Sequence, residues 1–218
     1  FAHVQQLGEL AEKLFASGRP ALSGIGVSIF PRPAEGSYMP CFLVGQTSAR
    51  LLSAAAGAPL YTFSHQEGHI AAALYSSGHL ELMGERFIAF HLSGGTTDAL
   101  LVEPGEPVFT VTPAARSLDL KAGQAVDRVG LMLGLTFPCG PSLSALAESC
   151  HEPIKVRPTM KGADCCLSGI ENQCRKLLDS GKPPAYVARY CLISIEAALE
   201  GMTKALLERY GPLPLVYA

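Results

Sequence analysis

Apolar residues open the chain at helical spacing. Val4, Leu7, Leu10, Ala11, Leu14 and Phe15 fall on one stripe between His3 and Ser17, and Gly18 followed by Pro20 ends it, so the spacing predicts a helix. Ile25 to Phe30 is a β-branched apolar run bounded by glycine and proline, which reads as a buried strand. Pro31 to Ser37 is a loop that includes Ala34, and Cys41 to Ala56 is a second helix. Leu60 to Phe63 is a second strand, running into an Ala-rich helix that ends near Ser76. Strands alternating with helices in this way predict an α/β arrangement with a partly parallel sheet.

The pattern changes at Gly84. Arg86 to Ser93 and Thr96 to Glu103 are strand-like runs separated by Gly94-Gly95, and Pro107 to Thr112 is a third, which together read as an antiparallel meander. Helices follow at Leu120 to Leu133, Pro141 to Ser149, Ser168 to Asp179 and Pro184 to Tyr210, and Leu213 to Ala218 reads as a closing buried strand. A lobe boundary is placed here, dividing the chain into an N-terminal lobe over residues 1–84 and a C-terminal lobe over residues 85–218.

Composition narrows the function more than the fold. A chain of 218 residues, 48% hydrophobic and 17% charged, is long and apolar enough to bury a sizeable core. Its formal net charge of -2 provides no broad basic field, so a nucleic acid partner has to be held by a local patch or presented by another subunit. The seven cysteines are odd in number and contain no Cys-x-x-Cys pair, which points to a reducing, cytoplasmic setting, with Cys165-Cys166 read as small buried thiols. No run approaches the ~18 apolar residues of a membrane span. Phe1 brings neither an initiating Met nor the basic start of a signal peptide, and the chain is read as having lost its true N-terminus.

The sharpest chemistry lies in Ser64-His65-Gln66-Glu67-Gly68-His69. On a helix, residues four apart share a face, so His65 and His69 can offer two imidazole nitrogens to one metal ion. Ser64 with Glu67 three residues on is a capping box. Glu67 also lies about 200° round the helix from His65, away from the shared face, so it is not the base of a zincin-like hydrolase.

Four further segments carry weaker signals. Ser93-Gly94-Gly95-Thr96 is a loop whose backbone N–H groups and hydroxyls can cradle a phosphate, and equally a plain hairpin turn. His91 before it reads as an ordinary sheet residue. Asp119 to Val129 begins a helix whose core face is Ala122, Val126, Val129 and Leu133, with Asp127 just off that face, where a carboxylate can accept ribose hydroxyls or simply be solvated. Gly140, in Pro138-Cys139-Gly140-Pro141, can let a flat ring approach the backbone or merely mark a helix start. Ser168-Gly169-Ile170-Glu171 reads as a second capping box.

Taken together and in this order, these segments resemble the TsaD (Gcp, "O-sialoglycoprotease") family of the actin-like ATPase superfamily. The family's His-x-Glu-Gly-His resembles His65 to His69, and its Ser-Gly-Gly-His-Thr resembles Ser93 to Thr97. Its Ala-Gly-Glu-Ala-Phe-Asp-Lys is similar to Ala122 to Arg128, its Tyr-Pro-Gly-Gly-Pro to Phe137 to Pro141, and its Phe-Ser-Gly to Leu167 to Gly169. The resemblance covers most of the chain. It implies a two-lobed, actin-like (ribonuclease H-like) α/β fold of mixed sheets flanked by helices, with a nucleotide held between the lobes.

The resemblance also implies a reaction: transfer of a threonylcarbamoyl group from its adenylate to N6 of a tRNA adenosine next to the anticodon. His65 and His69 would hold iron or zinc, Leu92, Ser93, Gly94 and Gly95 would carry the phosphate-side contacts, and Asp127 and Gly140 would contact ribose and adenine. The cofactors implied are that divalent metal and an adenine nucleotide or threonylcarbamoyl-adenylate. The partners implied are tRNA and other threonylcarbamoylation proteins; homo-oligomerisation stays open, and no catalytic residue is assigned. Thr96 stands for the family's His, Gln124 for its Glu, Cys139 for a Gly and Arg128 for a Lys, departures that suggest a paralogue. The family's opening Asp-Thr-Ser loop, its late Gly-Gly-Val-x-x-Asn and its metal-binding Asp are not in the sequence, so the chain is expected to be truncated at both ends, with two protein ligands for the metal. A metallopeptidase, and a non-catalytic nucleotide-binding scaffold, are the alternatives.

Overall fold

The computed structural model describes residues 2–218 other than 19, 34 and 107, so Phe1 and the expected loop and strand positions Ala34 and Pro107 lie outside the described residues. The chain divides into two compact units, Phe1–Ala72 and Ala73–Ala218, where the sequence pattern places its change of style at Gly84.

In the first unit, α1 (Ala2–Phe15) precedes β1 (Ile25–Phe30), α2 (Cys41–Ala56) and β2 (Leu60–Ser64). The two strands pair in parallel, from Ile25 opposite Leu60 to Phe30 opposite Ser64, with an irregularity between Ser28 and Phe30, and α2 lies against β1. This is the parallel pairing that alternating strand and helix predict. The expectation of a buried β1 is corrected: its residues are half-buried or exposed, because a two-stranded sheet leaves much of each strand unpacked. Helix α3 (His65–Ser77) starts directly at the end of β2.

The second unit is built on a four-stranded sheet in the order β5-β4-β3-β8. Strands β3 (Phe87–Leu92), β4 (Thr97–Pro104) and β5 (Phe109–Arg116) form the expected antiparallel meander, and β8 (Leu215–Tyr217) joins β3 in parallel. Helices α4 (Ala122–Met132), α5 (Gly140–Glu148), α6 (Ser168–Asp179) and α7 (Pro184–Tyr210) follow. Ile88, Phe90 and Ala99 of the sheet share one apolar core with Val129 of α4, Leu143 of α5 and Met202 of α7. The closing strand is not buried as expected: Leu215 and Tyr217 are 37% and 55% exposed, although the Tyr217 ring stacks on buried Phe90 at 5.2 Å between centroids. Two elements lack a sequence signal of their own, a 3-10 turn over Leu80–Gly84 and a hairpin of β6 (Thr159–Lys161) and β7 (Asp164–Cys166). Among the described residues, no helix is long and apolar enough to cross a membrane, and all seven cysteines are free thiols.

Candidate functional site

The first turn of α3 is fixed by its cap. Ser64 Oγ accepts the Glu67 N–H at 3.1 Å and the Glu67 carboxylate accepts the Ser64 N–H at 2.5 Å, so both halves of the expected capping box are present. Glu67 is thereby committed to the backbone. The turn continues with the Gln66 N–H donating to the Pro31 carbonyl at 3.1 Å, which ties the helix start to the end of β1.

This anchored turn presents His65 and His69 side by side, both exposed, with their Nε2 atoms 3.0 Å apart and ring centroids 4.4 Å apart. Two nitrogens bound to one tetrahedral ion at about 2.0–2.1 Å stand roughly 3.3 Å apart, so the pair converges at close to the spacing a shared metal requires. The same spacing suits a ring-to-ring hydrogen bond with one nitrogen protonated. Partial burial, and then the neighbouring His65, push the His69 imidazole below its ordinary value, which favours the neutral form a metal ligand needs. Phe42 of α2 lies 5.7 Å from the His65 ring, centroid to centroid. Among the described residues, no group of three His, Cys, Asp or Glu side chains is placed to hold a metal. Two imidazoles can therefore supply part of a coordination shell.

The other expected residues belong to the second unit. Leu92 closes β3, half-buried against the core, and Ser93, Gly94 and Gly95 are exposed in the loop to β4. The loop is organised by Ser93: its N–H donates to the Thr96 carbonyl at 2.8 Å, and its Oγ accepts the N–H of Gly95 at 3.2 Å and of Thr96 at 3.0 Å. The hydroxyl oxygen thus sits where an anion would collect those two donors. Neither Gly94 nor Gly95 takes a positive φ, and a Cβ on either would meet nothing within 4 Å, so neither is held to glycine by a hairpin turn. The crowded glycine is Gly123 at the start of α4, whose N–H donates to the Ser93 carbonyl at 3.3 Å and whose Cβ would stand 2.7 Å from the Gly94 nitrogen. Buried Thr97 fastens the same junction, its Oγ1 accepting the Ala122 N–H at 2.8 Å.

Asp127 is half-buried one turn along α4, and its Oδ1 accepts the Cys139 N–H at 2.9 Å. Gly140, the first residue of α5, follows directly, so this bond places Asp127 beside the turn that leads into Gly140. Burial, and then the Asp127 carboxylate, push the Cys139 thiol above its ordinary value. Asp127 Oδ2 is left as the carboxylate oxygen that this bond does not use.

The expected Ser168/Glu171 capping box is not made. Glu171 pairs instead with Arg128 of α4 at 3.1 Å, and the start of α6 is held by Asp119. Oδ1 of Asp119 accepts the N–H of Leu120 at 2.6 Å, of Leu167 at 2.7 Å and of Ser168 at 3.3 Å, while Oδ2 accepts the Ser168 hydroxyl at 2.5 Å. Desolvation would raise the Asp119 carboxyl, but the Ser168 hydroxyl and the Leu167, Leu120 and Ser168 N–H groups outweigh it and hold the group below its ordinary value. Sequence reasoning missed this residue. Its one local signal is an aspartate just ahead of a helix, and the helix it caps is a different one.

A family model described as TsaD, tRNA N6-adenosine threonylcarbamoyltransferase, matches residues 2–214. Among curated proteins, the chain is 32% identical over 180 residues to a tRNA N6-adenosine threonylcarbamoyltransferase of Thermodesulfovibrio yellowstonii, an alignment covering 81% of this chain and 51% of that protein. It is 35% identical over 151 residues to proteins of the same name from two strains of Thermus thermophilus, covering 67% of this chain and 44% of each. The chain spans about half the length of the curated relatives it matches.

Proposed function

The chain belongs to the TsaD family, and from that premise we propose that it is a transferase that moves a threonylcarbamoyl group from an adenylate to N6 of a tRNA adenosine, within an actin-like fold in the cytoplasm. The observation that carries this reading is the family match across residues 2–214. The relatives are named for the same transfer.

In this reading His65 and His69 hold a divalent metal, iron or zinc, which when bound supplies Lewis-acid polarisation of acyl and phosphate oxygens. Their 3.0 Å convergence and the depressed His69 support that role. The remaining work falls to the chain's own groups. Rotation of the Ser93 hydroxyl would release the Gly95 and Thr96 N–H groups to a phosphate oxygen. Asp127 Oδ2 accepts from a ribose hydroxyl while Oδ1 keeps the Cys139–Gly140 turn in place beneath the base. The adenosine N6 attacks the carbamoyl carbon, a new N–C bond forms, the bond from that carbon to the phosphate oxygen breaks, AMP leaves with the electron pair, and N6 gives up a proton.

The peptidase alternative would need a base at the metal, and the commitment of Glu67 to the Ser64 N–H counts against it. A scaffold reading is favoured by Gln124, whose Oε1 accepts the Lys121 N–H at 3.4 Å as a neutral cap where the family carries a Glu. Metal-loaded protein incubated with threonylcarbamoyl-adenylate and unmodified tRNA, followed by nucleoside mass spectrometry, tests the reading. Threonylcarbamoyladenosine formed by the wild type and lost in His65→Ala/His69→Ala supports it. Nucleotide binding without any modified nucleoside overturns it in favour of the scaffold.

A further inference from the structure

With a formal net charge of -2 over the whole chain, an anionic partner has to find a local concentration of cations. One lies in the second unit, in the segment that runs into the β6–β7 hairpin. From residue 154 to residue 161 exposure alternates without a break. Ile154, Val156, Pro158 and Met160 are half-buried, and Lys155, Arg157, Thr159 and Lys161 are exposed. A period of two is the mark of an extended chain with one side packed. The packed side fixes the backbone: Met160 lies against the core and against α7, where a Cβ on Gly201 would stand 2.9 Å from its sulfur, and Thr159 to Lys161 pair with Cys166 to Asp164 of β7. The outward side is thereby a row of four hydrogen-bond donors, successive members standing about 6.6 Å apart at roughly 3.3 Å per residue.

Nothing in the row is neutralised. Residues 153–163 contain no Asp or Glu, and the side chains of Lys155, Arg157 and Lys161 make no ion pair or hydrogen bond among the described residues. The flanking acids are engaged elsewhere: Glu152 pairs with Lys182 at 3.4 Å, and Asp164, opposite Lys161 in the hairpin, accepts the Arg116 N–H at 2.8 Å. The surroundings also choose the class of partner. Among the described residues from 138 to 214 no large apolar side chain is exposed, so this face lacks the apolar and aromatic anchors that hold a protein partner. A phosphate backbone asks for none of these, only for repeated cations and hydroxyl donors.

We propose that Lys155, Arg157, Thr159 and Lys161 receive the phosphate backbone of an RNA strand. That the RNA is tRNA rests on the transferase reading, which the row deepens by saying where on the second unit the substrate is held. The contacts go to phosphates alone, so they position the strand without reading its sequence.

Fluorescence anisotropy of labelled, unmodified tRNA titrated with the protein at several salt concentrations tests it. Lys155→Gln/Arg157→Gln/Lys161→Gln should weaken binding at least tenfold at low salt and flatten the plot of log affinity against log salt by about 2, at about 0.7 for each lost contact. Lys155→Gln alone, outside the hairpin and therefore no threat to its folding, should flatten it by about 0.7. A control triple, Lys13→Gln/Arg50→Gln/Lys204→Gln, removes the same charge from exposed positions elsewhere and should bind as the wild type does. Equal affinity and slope in the wild type and the row variants, or an equal loss in the control triple, would overturn the proposal. Polyglutamate bound as tightly as tRNA, and lost in the row triple, would overturn it in favour of an acidic protein segment. The titration contains neither metal nor adenylate. Binding that follows the row with no modified nucleoside in the transferase assay therefore removes the transferase reading and leaves the RNA surface, and modification by the row triple at unchanged KM for tRNA removes the surface and leaves the transferase.

Discussion

The Ser168 hydroxyl donates to Asp119 Oδ2 at 2.5 Å, joining two residues 49 positions apart and closing the start of α6 onto the segment that enters α4. With the Leu167 and Ser168 N–H groups on Oδ1, Asp119 acts as the N-cap that α6 does not carry in its own sequence.

Asp119→Ala should therefore lower stability by about 0.5–2 kcal/mol, the usual worth of an N-cap side chain, or roughly 1–8 °C in Tm for a chain of this size. Its pH dependence follows from the direction of the shift. The folded carboxyl is held below its unfolded value, so its contribution is complete above about pH 4 and is lost as pH falls through the lower folded value. Acid melts of wild type and Asp119→Asn should converge below that window and separate above it. Parallel curves across the whole range would show that the carboxylate's charge contributes nothing.

Gly123 and Gly95 make a matched pair. A Cβ on Gly123 would meet the Gly94 nitrogen at 2.7 Å and the Ser93 carbonyl carbon at 2.9 Å, atoms that cannot yield without moving the loop. Gly123→Ala should cost about 1–3 kcal/mol by overpacking. Gly95→Ala enters open space at an unstrained φ and should leave Tm within about 2 °C. If the loop receives a phosphate, the same Gly95→Ala should still weaken adenine nucleotide binding by roughly fivefold, about 1 kcal/mol. Melting curves and nucleotide titrations of the two variants check both halves.

Much of this architecture is legible in the sequence, because its signals are local. The bounds of β1, α6 and α7 follow from apolar periodicity and from Pro and Gly at their ends, and the Ser64/Glu67 cap from a four-residue motif. Ser168/Glu171 carries the same motif and fails, since Asp119 and Arg128 from other elements outcompete the local partners. The β6–β7 hairpin was invisible for a related reason: its two three-residue strands are too short to show alternation. At the candidate site, residue identities were readable from ordered motifs. That the Ser93 hydroxyl fills its own loop depends on the local turn the backbone takes, and that Gly123 rather than Gly94 is the sterically required glycine depends on a contact across about 30 residues of chain.

Asp127 has a structural duty and a proposed binding duty on different oxygens, and two substitutions separate them. Asn keeps an oxygen for the Cys139 N–H, so Asp127→Asn should melt like the wild type. Asp127→Ala loses that half-buried bond at about 1 kcal/mol, or roughly 2–4 °C. Both variants remove the charged acceptor proposed for ribose and should weaken adenosine nucleotide binding by about tenfold or more. Wild-type nucleotide affinity in Asp127→Asn would remove the ribose role while leaving the turn-holding role intact.

Gly130 of α4 and Cys139 in the turn into α5 are both buried. A Cβ on Gly130 would stand 2.3 Å from Cys139 Cβ and 2.7 Å from its Sγ, so Gly130→Ala drives two side chains into one space. The expected cost is about 1–3 kcal/mol. Cys139→Gly alone should also destabilise, by emptying a packed site and loosening the backbone. Together the two changes should cost less than their sum, because the new methyl occupies the volume the thiol leaves, with a coupling of about 0.5–3 kcal/mol in the double-mutant cycle. Since Asp127 holds the Cys139 N–H, that rescue should also restore any nucleotide affinity lost in Gly130→Ala. Strict additivity of the two melting shifts would mean that the turn moves aside rather than packing against α4, and the geometry assigned to Gly140 would fall with it.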